Sequence, residues 1–325
     1  MTLPAAEQPP LGPLDVKAAR ERIAGRVRPL VLAPGDPNPL PALAGRRVTF
    51  ALEYMQHTGS FKARGAANLA ASHVQSGTMP EAGVTIASGG NAGLACAWAA
   101  RATDTRATVF LPGTAPEFKV AKLRDYGADV RLVGTEYADA LAASIEYAGE
   151  SGALLSHAYD NPLIAAGAGT IAAEVLALHP DVDTIMVAVG GGGLFSGIAA
   201  AVADTSVRVV AVEPEHCRAL NAALEAGAPV DVPVDSIAAD SLGARRVSQT
   251  AYELAQGSNV RSLLVSDESI VRARRELWDS RRVVVEYGGA TAYAALTQGA
   301  YVPEQGEHVV VVLCGANTDP AGLAT

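Results

Sequence analysis

The sequence predicts an α/β fold built on mostly parallel sheet, and three observations predict it. From about residue 46 onward, strand-like apolar runs alternate with stretches of helical spacing. The central runs TIMVAVG (184–190), VRVVAVEP (207–214) and HVVVVLCG (308–315) are continuously apolar rather than alternating, as strands are when helices cover both faces of a sheet. With 49% hydrophobic and only 18% charged residues in 325, the chain can bury two domains, or one large α/β unit with a lobe. Its abundant Ala and Gly favour close helix-on-sheet packing.

The elements follow in order. VTFALE (48–53) reads as a strand, and FKARGAANLAASHVQ (61–75) has the apolar spacing of a helix. VTIAS (84–88) precedes a helix over 91–101, and ATVFLP (107–112) precedes one over 116–126. ADVRLV (128–133) leads to a helix over 137–150, and ALLSH (153–157) to a long one over 164–178. After strand 184–190 come a glycine run and a further helix, then strand 207–214. VRSLLVS (260–266) precedes a charged helix, and HVVVVLCG supplies the last strand. Pro34, Gly35, Pro37, Pro39 and Pro41 mark a turn-rich lead-in, and AGAPVDVPVD (226–235) a long surface loop.

Several function classes are excluded early. A net charge of −9 argues against a nucleic-acid or anionic-membrane surface. The pairs Arg245-Arg246 and Arg281-Arg282 are too short to overturn that and read as solvated helix faces. The first thirty residues lack the order of a signal peptide, and Pro4, Pro9, Pro10 and Pro13 read as a loose arm. No run reaches the roughly 18 apolar residues that span a bilayer. Cys96, Cys217 and Cys314 are odd in number and widely spaced, which fits neither a disulfide framework nor a zinc site and suits a reducing cytoplasm.

Candidate chemistry gathers where strands end and helices begin, because free backbone N–H groups and the helix dipole point there. In IASGGNAGLACAWAA (86–100), Ser88, Gly89, Gly90 and Asn91 form a tight turn suited to a carboxylate, or simply a turn capped by Asn91. In VAVGGGGLFSGIAAA (187–201), four glycines open a helix at about Leu194. Each glycine costs about 0.5–1 kcal/mol relative to Ala, so a phosphate cradle explains the run better than structure alone. In VVLCGANTD (311–319) the final strand ends at Cys314-Gly315-Ala316-Asn317, which alone is an ordinary turn with a buried cysteine.

Two chemistries could use these parts. Glu213 lies where a ribose-binding acid would sit after a dinucleotide loop. The G-x-G-x-x-G fingerprint fails, however: from Gly190 its sixth position is Phe195, and from Gly191 it is Ser196. That reading also leaves Lys62 without a role. A lysine among small and apolar residues in HTGSFKARGA (57–66), a phosphate cradle and a carboxylate-binding turn suit pyridoxal 5′-phosphate, whose aldehyde forms a Schiff base with lysine. Burial lowers such a lysine's pKa and frees its amine as nucleophile and base.

HTGSFKARGA, ASGGNAG (87–93), HAYDNPLIAAGAGTIAAE (157–174), GGGGLFSGIA (190–199), VAVEP (210–214 region) and CGAN (314–317), in this order and spacing, resemble the threonine/serine dehydratase family over residues 20–319. The resemblance implies a fold type II, tryptophan-synthase β-like pyridoxal phosphate enzyme, with two open mostly parallel sheets and helices on both faces. It implies a large domain over 1–73 and 161–325, a smaller mobile domain over 74–160, and a homodimer. Position by position, Lys62 matches the Schiff-base lysine and Phe61 the residue packed beside the cofactor. Asn91 matches the asparagine that bonds the pyridine 3′-oxygen. Ser88, Gly89, Asn91 and Ala92 belong to the loop that receives the substrate carboxylate. Gly190, Gly191, Gly192, Gly193 and Leu194 match the phosphate cradle, and Cys314 the neutral residue facing the pyridine nitrogen. The activity implied is β-elimination from a β-hydroxy amino acid such as L-threonine or L-serine, giving a 2-oxo acid and ammonia.

The chain departs from the family in places. Ala92 stands where many relatives have histidine, and Gly89 where serine racemases carry a second catalytic serine, which favours elimination over inversion. Six residues after Glu213 stands Ala219, so the divalent cation that some relatives hold there is not expected, and no metal ligands are assigned. Glu286-Tyr287-Gly288-Gly289-Ala290 and AADSLGARR (238–246) replace the family's usual segments where a substrate could be read. With the chain ending at Thr325, feedback through an appended regulatory domain is not expected. Racemisation, β-replacement as in cysteine synthases, and a pyridoxal phosphate protein without turnover stay open as alternatives, with nicotinamide chemistry more remote.

Overall fold

The computed structural model describes residues 11–35 and 46–323. Two sheets carry the fold. The larger runs in the order β1 (Leu32–Pro34), β2 (Arg47–Ala51), β10 (His308–Val312), β7 (Thr184–Ala188), β8 (Arg208–Pro214) and β9 (Val260–Val265). Every pairing in it is parallel except β1 against β2 at the edge. The smaller sheet, β5 (Asp129–Leu132), β4 (Ala107–Leu111), β3 (Val84–Ala87) and β6 (Leu154–Leu155), is parallel throughout.

The continuous apolar runs explain themselves once the strands are laid side by side. In β7, Ile185 and Val187 face a core with Ile171 and Val175 of α6 (Pro162–Leu178) and Phe195 and Ile198 of α7 (Gly193–Ala201). Met186 points the other way, onto Ile270 and Leu277 of α11 (Asp267–Arg281) and Leu296 of α12 (Tyr287–Gln298). Successive strand side chains alternate faces, and both faces are dry, so both sets must be apolar. Each such aliphatic side chain contributes about 1.5–3 kcal/mol by burial. The smaller sheet repeats the scheme with Val84, Ile86, Val109 and Leu111 against Leu94 of α3 (Asn91–Ala102) and Leu123 of α4 (Glu117–Asp125).

The Ala- and Gly-rich composition serves helix-on-helix contact as much as helix-on-sheet packing. A β-carbon at Gly197 would lie 2.1 Å from the Ala165 carbonyl oxygen, and one at Gly169 would lie 2.4 Å from that of Gly197. The α6 and α7 backbones therefore touch, at a distance only glycine permits.

A buried ion cluster fixes α2 (Lys62–Gln75). The fully buried Arg64 guanidinium donates to both Glu53 carboxylate oxygens, at 2.8 and 2.7 Å, and to Thr170 Oγ1 and Glu174 Oε1. Glu174 Oε2 in turn accepts from Leu30 N. Arg64 is thus a tie between the segment before α2, α6 and the N-terminal segment, two residues beyond Lys62.

Some sequence expectations need correction. Pro13 does not belong to a loose arm: it opens α1 (Pro13–Ile23), where its missing N–H costs nothing. Pro4, Pro9, Pro10, Pro37, Pro39 and Pro41 lie outside the described residues. Arg245 and Arg246 sit on a bend between α9 (Ala239–Leu242) and α10 (Gln249–Ala255), not on a helix face. Arg281 closes α11, but Arg282 leaves it in the left-handed region, with φ +57°. Among the described residues no helix is long and apolar enough to cross a membrane.

Candidate active site

The C-terminal ends of β3, β7 and β10 meet at a cleft of about 750 Å³, reached by Ser88, Gly190 and Cys314 respectively. That volume suits a cofactor with a small substrate. Parallel strands bring these ends to one side of their sheets, so residues far apart in sequence converge there.

Lys62 begins α2 at the cleft. The turn before it is tied to the end of β10: Phe61 N donates to the Cys314 carbonyl at 3.0 Å, and Ser60 bridges to Gly315. Lys62 Nζ donates to the Ala158 carbonyl at 3.0 Å and lies 4.7 Å from the Phe61 ring centroid. Loss of hydration is the dominant influence and brings the ammonium pKa from 10.5 down to about 8, against smaller opposing pulls from Cys314 and Glu286. The apolar setting around the lysine therefore does what the sequence suggested.

The glycine run occupies the β7–α7 turn. The helix starts at Gly193, one residue before the expected Leu194, and its N-cap Gly192 has φ +97° and no side chain to cap the first amides. A side chain anywhere in the run meets neighbours: Leu242 Cα at 2.9 Å from Gly190, the Tyr159 ring at 2.3 Å from Gly191, and Ala251 Cβ at 2.4 Å from Gly192. Packing calls for glycine at each of these positions, and the first amides of α7 are left without a side-chain cap. An aspartate at Gly192 would disrupt the turn itself through both its φ and Ala251.

Asn91 is the first residue of α3, and Gly90 is its N-cap, again with no side-chain cap. The simple capping reading of Asn91 therefore falls away. Its Nδ2 donates to Glu286 Oε1 at 2.8 Å, and its Oδ1 accepts from Asn317 Nδ2 at 2.7 Å. One Nδ2 hydrogen is left for a ligand. Ser88, Gly89, Asn91 and Ala92 all line the cleft. A β-carbon on Gly89 would lie 2.5 Å from Leu111 Cδ2, so a side chain added there reaches the substrate side only if Leu111 yields.

Cys314 is buried behind the lysine, its Sγ 3.6 Å from the Gly288 carbonyl. Burial pushes its thiol up to about 12, so it is neutral in the physiological range. All three cysteines are free and buried.

Sequence reasoning missed the groups that orient these residues. Glu286, named only as part of a variant segment, is held up near 7 by burial, against the pull of Asn91 and Lys62. Asn317, read as a turn residue, donates to Thr58 O and Asn91 Oδ1 and accepts from Lys122 Nζ at 2.8 Å. The tyrosine of HAYDNP, Tyr159, covers the glycine run. The signal was present, since each lies inside a quoted motif, but spacing says nothing about partners 195 or 226 residues away.

Glu213 sits away from the cleft, where it caps a helix. Fully buried, it accepts from the Leu220 and Asn221 amides at the start of α8 (Ala219–Ala226), both at 2.8 Å. It does not line the cleft, and the dinucleotide reading loses its acid.

The donor set fits pyridoxal phosphate: a desolvated amine, a buried neutral thiol, an amide with a spare donor, and two uncapped helix N-termini for anions. The comparisons agree. The chain is 37% identical over 277 residues to an L-threonine ammonia-lyase of Geobacter sulfurreducens, covering 85% of this chain and 68% of that one. It is 36% identical over 293 residues to a phenylserine dehydratase of Ralstonia pickettii, covering 89% and 87%. Among solved structures it resembles maize serine racemase with a TM-score of 0.88 at 28% identity, covering 96% and 95%. Residues 28–315 match the family described as pyridoxal-phosphate dependent enzyme, and the chain belongs to that family.

Proposed function

We propose that this enzyme eliminates water and then ammonia from a β-hydroxy amino acid such as L-threonine or L-serine, leaving the 2-oxo acid. The observation that carries the reading is a desolvated lysine between two uncapped helix N-termini, one on each sheet's C-terminal edge. Pyridoxal phosphate, when bound, supplies an imine-forming aldehyde and an electron-withdrawing ring that acidifies the substrate α-carbon.

The chain's own residues do the rest. Lys62, with its pKa near 8, offers a neutral amine to hold the cofactor and then to take the α-proton. The amides of Gly190 to Leu194 receive the cofactor phosphate, and those of the Ser88–Ala92 turn the substrate carboxylate. Asn91, held by Glu286 and Asn317, has one amide hydrogen left that would bond the cofactor's ring oxygen, and Phe61, which lines the cleft, would flank the cofactor. Cys314, whose thiol burial pushes up to about 12, would face the ring nitrogen as a neutral partner and would not force a charge on it, which suits elimination of the β-hydroxyl. The net change releases one ammonia per amino acid, because the water lost on elimination is regained on hydrolysis.

The likeness to serine racemase favours inversion as a second reading. Against it, Gly89 offers no hydroxyl on the far face of the substrate, and Leu111 crowds that position. Residues 74–160 are taken as the smaller, mobile domain, closing over the substrate. A cytoplasmic location belongs to the same proposal, supported by the free buried cysteines, and so does the homodimer that the family resemblance implies.

The test is incubation of the yellow holoenzyme with L-threonine, L-serine and an aromatic β-hydroxy amino acid in deuterated water. Release of 2-oxo acid and ammonia faster than the D-enantiomer accumulates supports elimination. The reverse order sinks it.

A further inference from the structure

At the edge of the large sheet opposite the cleft, three metal-ligating side chains come together. His179 is the C-cap of α6, Asp181 follows it in the turn before β7, and His308 opens β10. One ligating atom from each lies within 4.8 Å of the other two. We propose that His179, Asp181 and His308 form a binding site for a borderline divalent metal of the zinc class, separate from the cleft.

The second observation is His308 itself. It is 1% exposed, and its Nδ1 has no hydrogen-bond partner. Its Nε2 is 3.0 Å from Thr49 Oγ1. With Nε2–H donating to that hydroxyl, the Nδ1 lone pair is left aimed at Asp181 Oδ1, 3.6 Å away. In that tautomer two electron pairs face each other across the gap, and a cation between them satisfies both. Ligands bound to zinc at about 2.0–2.2 Å in a tetrahedron stand about 3.3–3.6 Å apart, which the His308–Asp181 pair already satisfies. The His179 ring stands edge-on to His308, with centroids 4.9 Å apart, close enough for a small ring rotation to complete the set.

The ligand types decide the class. Two imidazoles and one carboxylate select zinc or its transition-metal neighbours over magnesium or calcium, which prefer all-oxygen sites. The fourth position is left to water, because Asp181 is half exposed. Thr49 is then the outer partner that fixes the His308 tautomer, the usual arrangement around a metal-bound histidine. One group opposes the site: Arg47 Nη1 lies 2.5 Å from Asp181 Oδ2. Its side chain is half exposed, so it can swing into solvent when a dication takes over the carboxylate. A bound metal would pin the end of α6 to the start of β10.

The test uses the tag-free, full-length holoenzyme, stripped of metal and dialysed against zinc chloride with metal analysis. About one zinc per chain should saturate the site. His179→Gln and Asp181→Asn, both on the solvent side and away from the buried Thr49–His308 contact, should each weaken binding about tenfold or more. Arg47→Gln should tighten it by removing the competing cation, a result that a chance pair of surface histidines does not give. Absence of saturable zinc, or zinc retained equally by the His179 and Asp181 variants as it would be if held in the cleft, overturns the proposal.

Discussion

Replacing Lys62 with methionine should stabilise the apoprotein, and the size of the effect should depend on pH. Methionine keeps the length and packing of the side chain and removes its charge. In the folded chain burial lowers the Lys62 pKa from 10.5 to about 8. At about 1.4 kcal/mol per pH unit, that gap is worth about 3 kcal/mol against folding. The sign follows from the direction. A cation whose folded pKa is depressed destabilises the fold fully below its folded pKa, here about 8. The penalty then fades as pH rises toward the unfolded pKa of 10.5. The hydrogen bond to Ala158 O offsets about 1 kcal/mol, which leaves a net gain of about 2 kcal/mol for Lys62→Met near pH 7. Urea unfolding of both apoproteins at pH 7, 8, 9 and 10 gives the difference; groups remote from Lys62 cancel because both proteins carry them, while Glu286, whose carboxyl Lys62 pulls down, adds its own contribution near pH 7. A variant that is less stable, or equally more stable at every pH, would mean that Lys62 is well solvated and that its place in the motif has another cause.

Three further outcomes follow. Gly191→Ala puts a methyl group against the Tyr159 ring; pyridoxal phosphate affinity, read by spectral titration, should fall by about 1.4 kcal/mol or more, a factor of about ten, while the circular dichroism spectrum persists. Cys314→Ser keeps a small neutral hydrogen-bonding group near the Gly288 carbonyl and should keep most of the turnover; loss of turnover with cofactor still bound would make the thiol a participant. Arg64→Met strands Glu53 and Glu174 in the interior, which should cost about 3–5 kcal/mol in chemical denaturation.

How much of this was legible in the sequence depended on whether the cause was local. The central strands announced themselves because burial on two faces leaves little room for polar residues, as in β7 and β10; β1 did not, since Pro34, read as a turn mark, lies in it. Helices α2, α3 and α6 were visible for the same reason, to within one or two residues. Helix α1 was hidden by a proline that sits at its first position, where proline is favoured. Lys62 and the glycine run stood out because an amine in apolar surroundings and consecutive glycines are costly without a use; Asn91, an N-cap on its own reading, was singled out only by the family resemblance. Their orienting partners were not found. Arg64 needs Glu53 and Glu174, and Asn91 needs Glu286 and Asn317, and only the parallel-sheet crossovers bring those residues together. Arg245 and Arg246 were misplaced because a short basic pair looks the same on a helix as on a bend.

Borohydride reduction of the holoenzyme, followed by peptide mapping, tests the assignment of Lys62 most directly. The pyridoxyl adduct should lie on Lys62, the lysine that burial holds near pKa 8 at the cleft. An adduct on Lys119 or Lys122 of α4, with Lys62 unmodified, would contradict it.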